Sequence, residues 1–478
     1  MECAIPLSRA SKEPLFRQVY SGLRKAILAG TFASGDRLPS TRDLAEQLGI
    51  SRTVVLVAYD QLLAEGFIAG RGGSGTYISE AIAAKVRASP GSSKGIRLSR
   101  FGKSASAAAR TVDFPAKRSV ALRYDFAFGR NSMVTFPFEA WRQILVRKSK
   151  EASVRELDYG PASGTRELRE AICSHVRRSR GVACDASEVI IVNGAQQALD
   201  LVSRVLIERG DRVVIESPHY QGTRELLRAA GARLIPIAVD REGLEPSRLP
   251  KRAAALFVTP SHQFPTGAIL SLPRRMAVLQ WAARTNAVIV ENDYDSDFHY
   301  EGRPVQSLQG LDTHGRVIYI GTFSRTMFPA LRIGYVIVPK ALAHVFSTAK
   351  WLSDQHSATL EQLTLAEFIS SGRYERYLRR LRRANTLRRD ALLQAIREHC
   401  DSRVELTGEH SGAHVMLWPR KNQTEAALIR QAAAKGVGIY GTSHCYMTAP
   451  ERAGIVVGYA RMNEKEIREG IRLLAPIL

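Results

Sequence analysis

The length and composition of the chain are typical of a globular protein with two or three domains. It has 478 residues, of which 45% are hydrophobic and 24% are charged, and no apolar run approaches the roughly 18 residues of a membrane-spanning helix. This argues against a membrane partner, and an N-terminus without an apolar signal core predicts a cytoplasmic location. The five cysteines form no CxxC pair, which argues against a zinc site and a disulfide framework.

The charge balance is strongly basic. A formal net charge of +22 is unusual for an enzyme of small molecules and predicts attraction to a polyanion such as nucleic acid. Surplus arginine that serves only to solvate the surface would give the same net charge. The charge alone therefore leaves both interpretations open.

The first 79 residues have the pattern of a winged helix-turn-helix. A first helix is predicted from Pro14 to Gly30 by apolar side chains four residues apart, at Leu15, Val19, Leu23 and Ile27. Ser40 can cap a second helix that continues to Leu48, and a short turn leads into a third helix, residues 51–65. Residues 67–78, FIAGRGGSGTYI, supply two short strands around a glycine-rich turn.

The string from Pro39 to Ser79 resembles the GntR-type winged helix, which binds double-stranded operator DNA. The N-terminal residues of the third helix of such a module enter the major groove, while flanking groups contact phosphates. Arg52 and Thr53 are the predicted base contacts, and solvated arginine is the alternative. The full set of DNA-binding candidates is Arg42, Ser51, Arg52, Thr53, Arg71 and Gly73.

Residues 80–123 have a composition unlike that of the segments on either side. They are rich in alanine, serine and basic residues and have no sustained apolar period. This composition predicts a flexible linker. Its positive charge could instead follow a DNA backbone.

From Tyr124 onward, predicted strands and helices alternate, which is typical of an α/β domain with a largely parallel sheet. The strand candidates are residues 189–192, 212–216, 255–259, 287–291, 316–321 and 332–339. Polar or glycine residues follow five of these strands. Because ligand sites in such sheets lie beyond the carboxyl ends of the strands, we expect these five loops to form one pocket.

Five motifs in this region resemble those of one protein family: NGAQQALDLVSRVL, ESPHYQG, VTPSHQFPTGAILS, VENDYDSDFHY and GTFSRTMFPALRIGY. Together with the N-terminal pattern they resemble the MocR/GabR class of bacterial regulators. The resemblance implies a GntR-type domain (1–79), a linker (80–123) and an aminotransferase-like domain (124–478) of the fold-type I pyridoxal-phosphate (PLP) class. It also implies a smaller C-terminal α+β part and a head-to-tail homodimer.

The same resemblance assigns a cofactor site to Gly194, Ala195, Gln196, Tyr220, Asn292, Tyr294, Thr322, Ser324, Arg325, Arg332 and Tyr159. The backbone amides of residues 194–196 would bind a phosphate at a helix start, together with Thr322, Ser324 and Arg332. Tyr220 would stack on the pyridine ring, Tyr294 would form a hydrogen bond with its phenolic oxygen, and Tyr159 would reach the partner subunit's site. Core packing is the alternative for each tyrosine.

Two positions depart from the family pattern at the reactive end of the cofactor. Arg325 stands at the position of the lysine, and its guanidinium never presents the neutral amine that a Schiff base requires. Asn292 stands at the position of the carboxylate that keeps the pyridine nitrogen protonated. Asp293 is adjacent, but on an extended chain it should point to the other face.

A third departure lies near the C-terminus. Val456 occupies about the position at which related proteins place an arginine for a substrate carboxylate. Arg461 follows five residues later, and the sequence leaves open whether it replaces that group.

These features predict a DNA-binding transcriptional regulator whose aminotransferase-like domain is not an enzyme, dimerises and senses a small anionic metabolite. One alternative is noncovalent binding of PLP by Thr322, Ser324, Arg332 and Arg325. A working aminotransferase is the other, and the missing lysine opposes it. Arg325 could also pair with an internal acid such as Asp293 and leave the pocket closed.

Overall fold

The computed structural model describes residues 5–33, 35–71, 75–79, 97–109, 122–129, 131–300 and 306–478. The chain divides into two compact units, an N-terminal unit (residues 1–98) and a C-terminal unit (residues 99–478). Among the described residues, no helix combines the length and the apolarity needed to cross a membrane.

The N-terminal unit is a winged helix-turn-helix, as predicted. Its elements are α1 (Leu15–Leu28), α2 (Thr41–Leu48), α3 (Arg52–Ala64), β1 (Ile68–Arg71) and β2 (Gly75–Ile78). The two strands pair antiparallel, and the apolar faces of α1 and α3 meet in one core around Val19, Leu23 and Leu62. Ser40 caps α2 by accepting a hydrogen bond from the Asp43 amide at 3.2 Å, which satisfies one free N–H of the first turn.

The C-terminal unit contains thirteen helices in the described residues. They are α4 (Arg100–Ala108), α5 (Phe138–Glu151), α6 (Val154–Leu157), α7 (Arg166–Arg180), α8 (Ala195–Leu206), α9 (Gln221–Ala230), α10 (Leu272–Thr285), α11 (Leu308–Leu311), α12 (Ala343–Asp354), α13 (Thr359–Ser370), α14 (Arg373–His399), α15 (Glu425–Ala434) and α16 (Glu464–Leu474). The strands of its central sheet are β4 (Val189–Val192), β5 (Arg212–Ser217), β6 (Arg233–Asp240), β7 (Gly243–Leu244), β8 (Ala255–Val258), β9 (Val288–Asp293), β10 (Val317–Thr322) and β11 (Gly334–Ile337).

The central sheet has the order β4-β11-β10-β9-β8-β5-β6-β7. Strands β5, β6, β8, β9 and β10 are parallel, and β11 pairs antiparallel with both β4 and β10. The predicted largely parallel sheet is therefore confirmed. Strand β6 was not among the predicted strands, because only Ile237 on it is buried and Pro236 interrupts its apolar pattern.

The smaller C-terminal part is α+β, as predicted. Its strands are β12 (Val404–Thr407), β13 (His414–Pro419), β15 (Tyr440–Gly441) and β16 (Ile455–Gly458), in the antiparallel order β12-β13-β16-β15. A separate short pair joins β3 (Tyr124–Asp125) to β14 (Val437–Gly438). Helices α15 and α16 cover a core that includes Val415, Val457 and Ile471.

Part of the predicted linker forms a helix. Residues 100–108 form α4, which lies against α9, and Ser99 caps it by accepting a hydrogen bond from the Gly102 amide at 3.0 Å. Three of its nine residues are alanine, the strongest helix former, and the Ser99 cap and the contact with α9 compensate for the missing apolar period. Residues 80–96 and 110–121 of the predicted linker lie outside the described residues.

Candidate functional site

The loops that follow the central strands meet at one edge of the sheet. Strands β4, β5, β8, β9 and β10 all run in the same direction, so their carboxyl ends share this edge. Contacts between the loops bear this out: Arg332 reaches Asn193, and Arg325 lies over the ring of Tyr294. The structure therefore brings together most of the residues that the sequence assigned to the pocket.

Arg332 and the start of α8 form the cationic end of the pocket. Nη2 of Arg332 donates a hydrogen bond to the Asn193 carbonyl oxygen at 2.7 Å. Gly194 precedes α8 with φ of 87°, and a Cβ there would lie 2.8 Å from the same Nη2. Only glycine permits both this backbone conformation and this close approach. The Gly194 amide, predicted to bind a phosphate, instead donates to the Val192 carbonyl oxygen at 2.8 Å. The exposed guanidinium therefore lies beside the first N–H groups of α8, those of Ala195 and Gln196, an arrangement that favours anions.

The two predicted hydroxyl groups lie on the turn after β10. Oγ1 of Thr322 accepts a hydrogen bond from the Ser324 amide at 3.2 Å, so this hydroxyl orders the turn. Both residues are partly buried. Ala195 and Gln196 form the first turn of α8, and the Gln196 side chain is exposed.

An aromatic wall lines the pocket beside the cationic end. Phe264 makes edge contacts with Tyr220 and Tyr294, with ring centroids 6.0 Å apart in each pair. Tyr220 is 41% exposed. Tyr294 is buried, its hydroxyl has no hydrogen-bond partner among the described residues, and burial raises its pKa well above 10. A buried hydroxyl without a partner can accept or donate one hydrogen bond to a ligand.

Arg325 lies between the ring of Tyr294 and the backbone of Gly129. Its Cζ lies 5.2 Å from the centroid of the Tyr294 ring, within the range of a cation–π interaction. A Cβ at Gly129 would lie 2.2 Å from Nη1 of Arg325, so the guanidinium packs directly on the glycine backbone. The side chain is partly buried, and it makes no ion pair or hydrogen bond with any residue that the structure describes. Its charge is thus available to a ligand.

Asp293 does not neutralise Arg325. Its Oδ2 lies 2.8 Å from Nε of Arg180 and accepts a hydrogen bond from the Tyr319 hydroxyl at 2.5 Å. As the alternation along β9 predicted, Asp293 points away from its neighbour Asn292. The Asn292 Oδ1 is buried without a partner among the described residues. The suggested pairing of Arg325 with Asp293 is therefore not what the structure contains.

Sequence reasoning missed a buried polar cluster formed by His262, Asp295 and His414. Each contributes one ligand-type atom, and these atoms lie within 4.8 Å of one another. Burial raises the pKa of Asp295 to about 7 against the opposing charge of Arg325, and burial lowers the pKa of His414 to about 4. The imidazole is thus neutral at physiological pH. The fixed charge of Arg325 close by disfavours a second cation in this place.

The cluster connects the loops after β8 and β9 to the smaller α+β part through hydrogen bonds. Oδ2 of Asp295 accepts a hydrogen bond from the Ala413 amide at 3.0 Å, and Nδ1 of His262 lies 2.8 Å from Oγ of Ser411. Nε2 of His414 lies 3.0 Å from the Pro265 carbonyl oxygen. The motifs did contain His262 and Asp295, but only the fold places them beside residues about 150 positions and 120 positions away.

Three other candidates lie away from this centre. Tyr159 is 80% exposed and makes an edge contact with His356 at 6.0 Å. Arg461 is exposed and lies 3.4 Å from the Asp125 carboxylate. Val456 is buried against Met416 and Trp418, so that position presents an apolar surface and no cation.

The candidate DNA-binding residues lie at the start of α3 and on α2. Ser51 precedes α3, Arg52 is its first residue, and Nε of Arg52 donates to Oγ1 of Thr41 at 3.3 Å. Arg42, Ser51, Arg52 and Thr53 are all exposed. Gly73 and the side chain of Arg71 lie outside the described residues. The DNA contacts of all six stay predictions.

The donor groups fit one end of PLP and not the other. Arg332, the start of α8 and the Thr322 turn suit a phosphate, and the orphaned hydroxyl of Tyr294 suits a ring oxygen. At the other end, Arg325 offers no amine for a covalent bond and Asn292 offers no charge for a ring nitrogen. This chain therefore suits an anion at this edge and does not suit covalent PLP chemistry.

Comparisons with known proteins agree with the fold of each of the two units. Residues 15–78 match the family of bacterial regulatory proteins, gntR family, and residues 125–474 match aminotransferase class I and II. The chain is 38% identical to the probable rhizopine catabolism regulatory protein MocR of Rhizobium meliloti, over 98% of this chain and 94% of that protein. It is 34% identical to the uncharacterized HTH-type transcriptional regulator YhdI of Bacillus subtilis, over 98% and 96%.

The fold also matches a solved aminotransferase. LysN, an α-aminoadipate aminotransferase from Thermus thermophilus, superimposes with a TM-score of 0.72 at 27% identity, covering 80% of this chain and 98% of LysN. The protein therefore belongs to the class that joins a helix-turn-helix domain to an aminotransferase-like domain. Within that class, it is a member of the MocR-type family of regulators.

Proposed function

We propose that this protein is a transcriptional regulator that binds operator DNA as a homodimer and senses a small anion in the aminotransferase-like pocket without covalent cofactor chemistry. The observation that supports this most directly is Arg325. Its guanidinium lies over the ring of Tyr294 and forms no ion pair within 4 Å with an acidic residue that the structure describes.

By the family resemblance of the motif GTFSRTMFPALRIGY, Arg325 stands at the position of the lysine of PLP-dependent relatives. Transamination uses that lysine as an amine nucleophile and then as a proton carrier, and a guanidinium can do neither at neutral pH. Asn292 adds a second deficit, because an amide cannot hold a proton on a pyridine nitrogen. The domain is therefore proposed to bind a ligand and not to transform it.

An anion would gain contacts from two guanidinium groups, those of Arg325 and Arg332. Each charge-assisted contact contributes roughly 1.5 to 3 kcal/mol before desolvation costs are subtracted. To act as a switch, the ligand must bind one arrangement of the dimer better than another. A difference of about 1.4 kcal/mol between the two arrangements would change their ratio tenfold.

A second candidate is noncovalent binding of PLP itself. The close fit of Arg332 on Gly194 favours it, because this end of the pocket suits a phosphate group. Both candidates predict stabilisation by an anion. Only the second predicts that PLP is bound better than inorganic phosphate and simple carboxylates.

Thermal-shift measurements with inorganic phosphate, PLP and a series of carboxylates test the ligand proposal. At least one anion should raise the melting temperature of the wild type, and Arg325→Ala and Arg332→Ala should each reduce the shift. Exposed Arg430→Ala is the matched control and should leave it unchanged. If no anion stabilises the wild type and both pocket variants regulate normally in cells, the pocket is vestigial and the proposal is wrong.

Borohydride treatment with PLP present tests the absence of covalent chemistry. Mass spectrometry should find no pyridoxyl group attached to the wild-type chain. An adduct on any lysine of the pocket would contradict the proposal. The visible absorption spectrum before and after reduction gives an independent readout.

The DNA side of the proposal depends on the start of α3. Arg52→Ala should cost about 1 to 3 kcal/mol of operator binding and should reduce the preference for the operator over a mutated site. Lys25→Ala, on α1, removes the same charge and should at most lower the affinity for both sites equally. If Arg52→Ala leaves the preference intact, α3 is not the reading helix.

A further inference from the structure

The positive charge of this chain is concentrated outside the helix-turn-helix. Residues 1–79 contain nine lysine and arginine residues against seven acidic ones, a net charge of +2 out of the total of +22. Phosphate contacts dominate the affinity of proteins for DNA, and they come from lysine and arginine. The region assigned to operator recognition therefore holds little of the charge that would attract a duplex.

Helix α14 contains a large share of the remaining charge. Its 27 residues include nine arginines and only three acidic residues, a net charge of +6. Four exposed arginines in its first half stand at positions i, i+3, i+4 and i+7. This spacing places them on one face of the helix. We call Arg376, Arg379, Arg380 and Arg383 the arginine stripe.

The arginine stripe differs from other arginines of α14 in its partners. Arg382, between two of its members, lies 3.6 Å from the Asp297 carboxylate and 3.7 Å from the Glu375 carboxylate. Arg389 lies 3.1 Å from the carboxylate of Asp390. No member of the stripe forms an ion pair with a residue that the structure describes. Four unneutralised guanidinium groups thus lie side by side, which is costly unless a polyanion or salt screens them.

We propose that the arginine stripe contacts the phosphate backbone of duplex DNA flanking the operator segment that α3 binds. The first and last members are seven residues apart, or about 10.5 Å along the helix axis at 1.5 Å per residue. One DNA strand presents a phosphate about every 3.4 Å along the duplex axis, so the stripe spans about three phosphates. Guanidinium groups suit phosphate oxygens because they can donate two parallel hydrogen bonds.

This inference rests on the proposed function, since it requires a regulator that is already bound to DNA. It adds a second, sequence-independent contact made by the C-terminal unit. Because phosphate contacts do not identify bases, the stripe should strengthen binding to any flanking sequence equally. Its contribution should also disappear when the flanking DNA is removed.

The test compares two duplexes: an operator selected by the wild-type protein from a random pool, and the same operator extended on each side by about 15 base pairs of arbitrary sequence, about five times the three phosphates that the stripe spans. The variant Arg379→Ala/Arg383→Ala removes two charges from the stripe. The control Arg420→Ala/Arg430→Ala removes two charges from exposed arginines elsewhere in the C-terminal unit. Far-UV circular dichroism and thermal melting verify that both double variants remain folded.

On the extended duplex, the stripe variant should bind more weakly than the wild type, and its log-log salt slope should be smaller by about 1.8, or 0.9 for each lost phosphate contact. The ratio of wild-type to variant affinity should then shrink roughly 12-fold between 50 and 200 mM salt. On the short duplex the two proteins should bind equally. The preference for the operator over a mutated operator should not change.

Three results would overturn the inference. The stripe variant could match the wild type on the extended duplex, it could lose as much affinity on the short duplex, or the control could lose affinity equally. A stripe variant that binds DNA normally but loses binding to RNA or to an acidic protein would also overturn it and would identify another partner. Failure of the wild type to select any operator would instead refute the proposed function itself.

Discussion

Replacing Asp295 by asparagine should change how the stability of the C-terminal unit depends on pH. Asp295 is only 3% exposed, and burial raises its pKa from 3.8 to about 7. Between about pH 4 and pH 7, this carboxyl is therefore protonated in the folded chain and ionised in the unfolded chain. Unfolding then releases a proton, so Asp295 makes the folded state less stable as the pH rises through this window.

The size of the effect follows from the pKa difference. Each pKa unit corresponds to about 1.4 kcal/mol, and a shift of about three units gives about 4 kcal/mol as the full loss. The loss is absent below about pH 4 and complete above about pH 7. An asparagine has no proton to release, so Asp295→Asn should gain stability relative to the wild type by only about 1 kcal/mol near pH 4.5 but by up to about 4 kcal/mol at pH 8.

Tryptophan fluorescence can follow this unit alone. All four tryptophans of the chain, Trp141, Trp281, Trp351 and Trp418, lie in the C-terminal unit. Urea unfolding at pH 4.5 and pH 8 therefore gives the difference between variant and wild type directly. Asp401→Asn, at an exposed carboxyl, is the matched control and should show no such difference. If Asp295→Asn differs from the wild type by the same amount at both pH values, the reasoning is wrong.

Three further predictions follow from the same contacts. Asp293→Ala leaves the buried Arg180 without its partner and should destabilise the C-terminal unit by about 3 to 5 kcal/mol in the urea assay; a loss below about 1 kcal/mol would contradict this. Leu23→Ala removes a fully buried side chain from the N-terminal core and should cost about 2 to 5 kcal/mol, measured by circular dichroism of the N-terminal unit. An anion beside Arg325 should bind more weakly above pH 7, where Asp295 is ionised, and calorimetry should find this pH dependence missing in Asp295→Asn.

The sequence was sufficient to predict those helices and strands whose local pattern of apolar residues agrees with the burial in the structure. In the N-terminal unit, the observed bounds of α1 and α3 fall within two residues of the predicted ones, because apolar spacing and capping residues act over a few positions. The buried strands β4, β5 and β10 were predictable for a similar reason: each is a short apolar run followed by polar or glycine residues. Alternation along β9 also predicted the direction of Asp293.

The sequence was not sufficient to predict features that depend on contacts between segments far apart in the chain. Helix α4 forms in a stretch without apolar period, and its contact with α9 involves residues more than 100 positions away. The pKa of Asp295 is raised because the fold buries the carboxyl, and the Arg325 charge and the Ala413 amide offset only part of that rise. The partner of Asp293 is Arg180, 113 positions away, whereas local reasoning had offered Arg325.

Under the proposed function, Arg332, the start of α8 and Arg325 are the groups that would bind an anion. Gly194 still has no side chain where a Cβ would collide with Arg332, so the cationic end remains shaped for a close contact. Arg325 adds a permanent charge over the Tyr294 ring, and Asp295, a carboxyl that interacts with this charge, is partly protonated at neutral pH. An anion can therefore enter without displacing an internal ion pair. This combination supports the proposed sensing pocket over a scaffold whose only role is dimerisation, because a scaffold would have no use for a partly buried charge without an ion-pair partner.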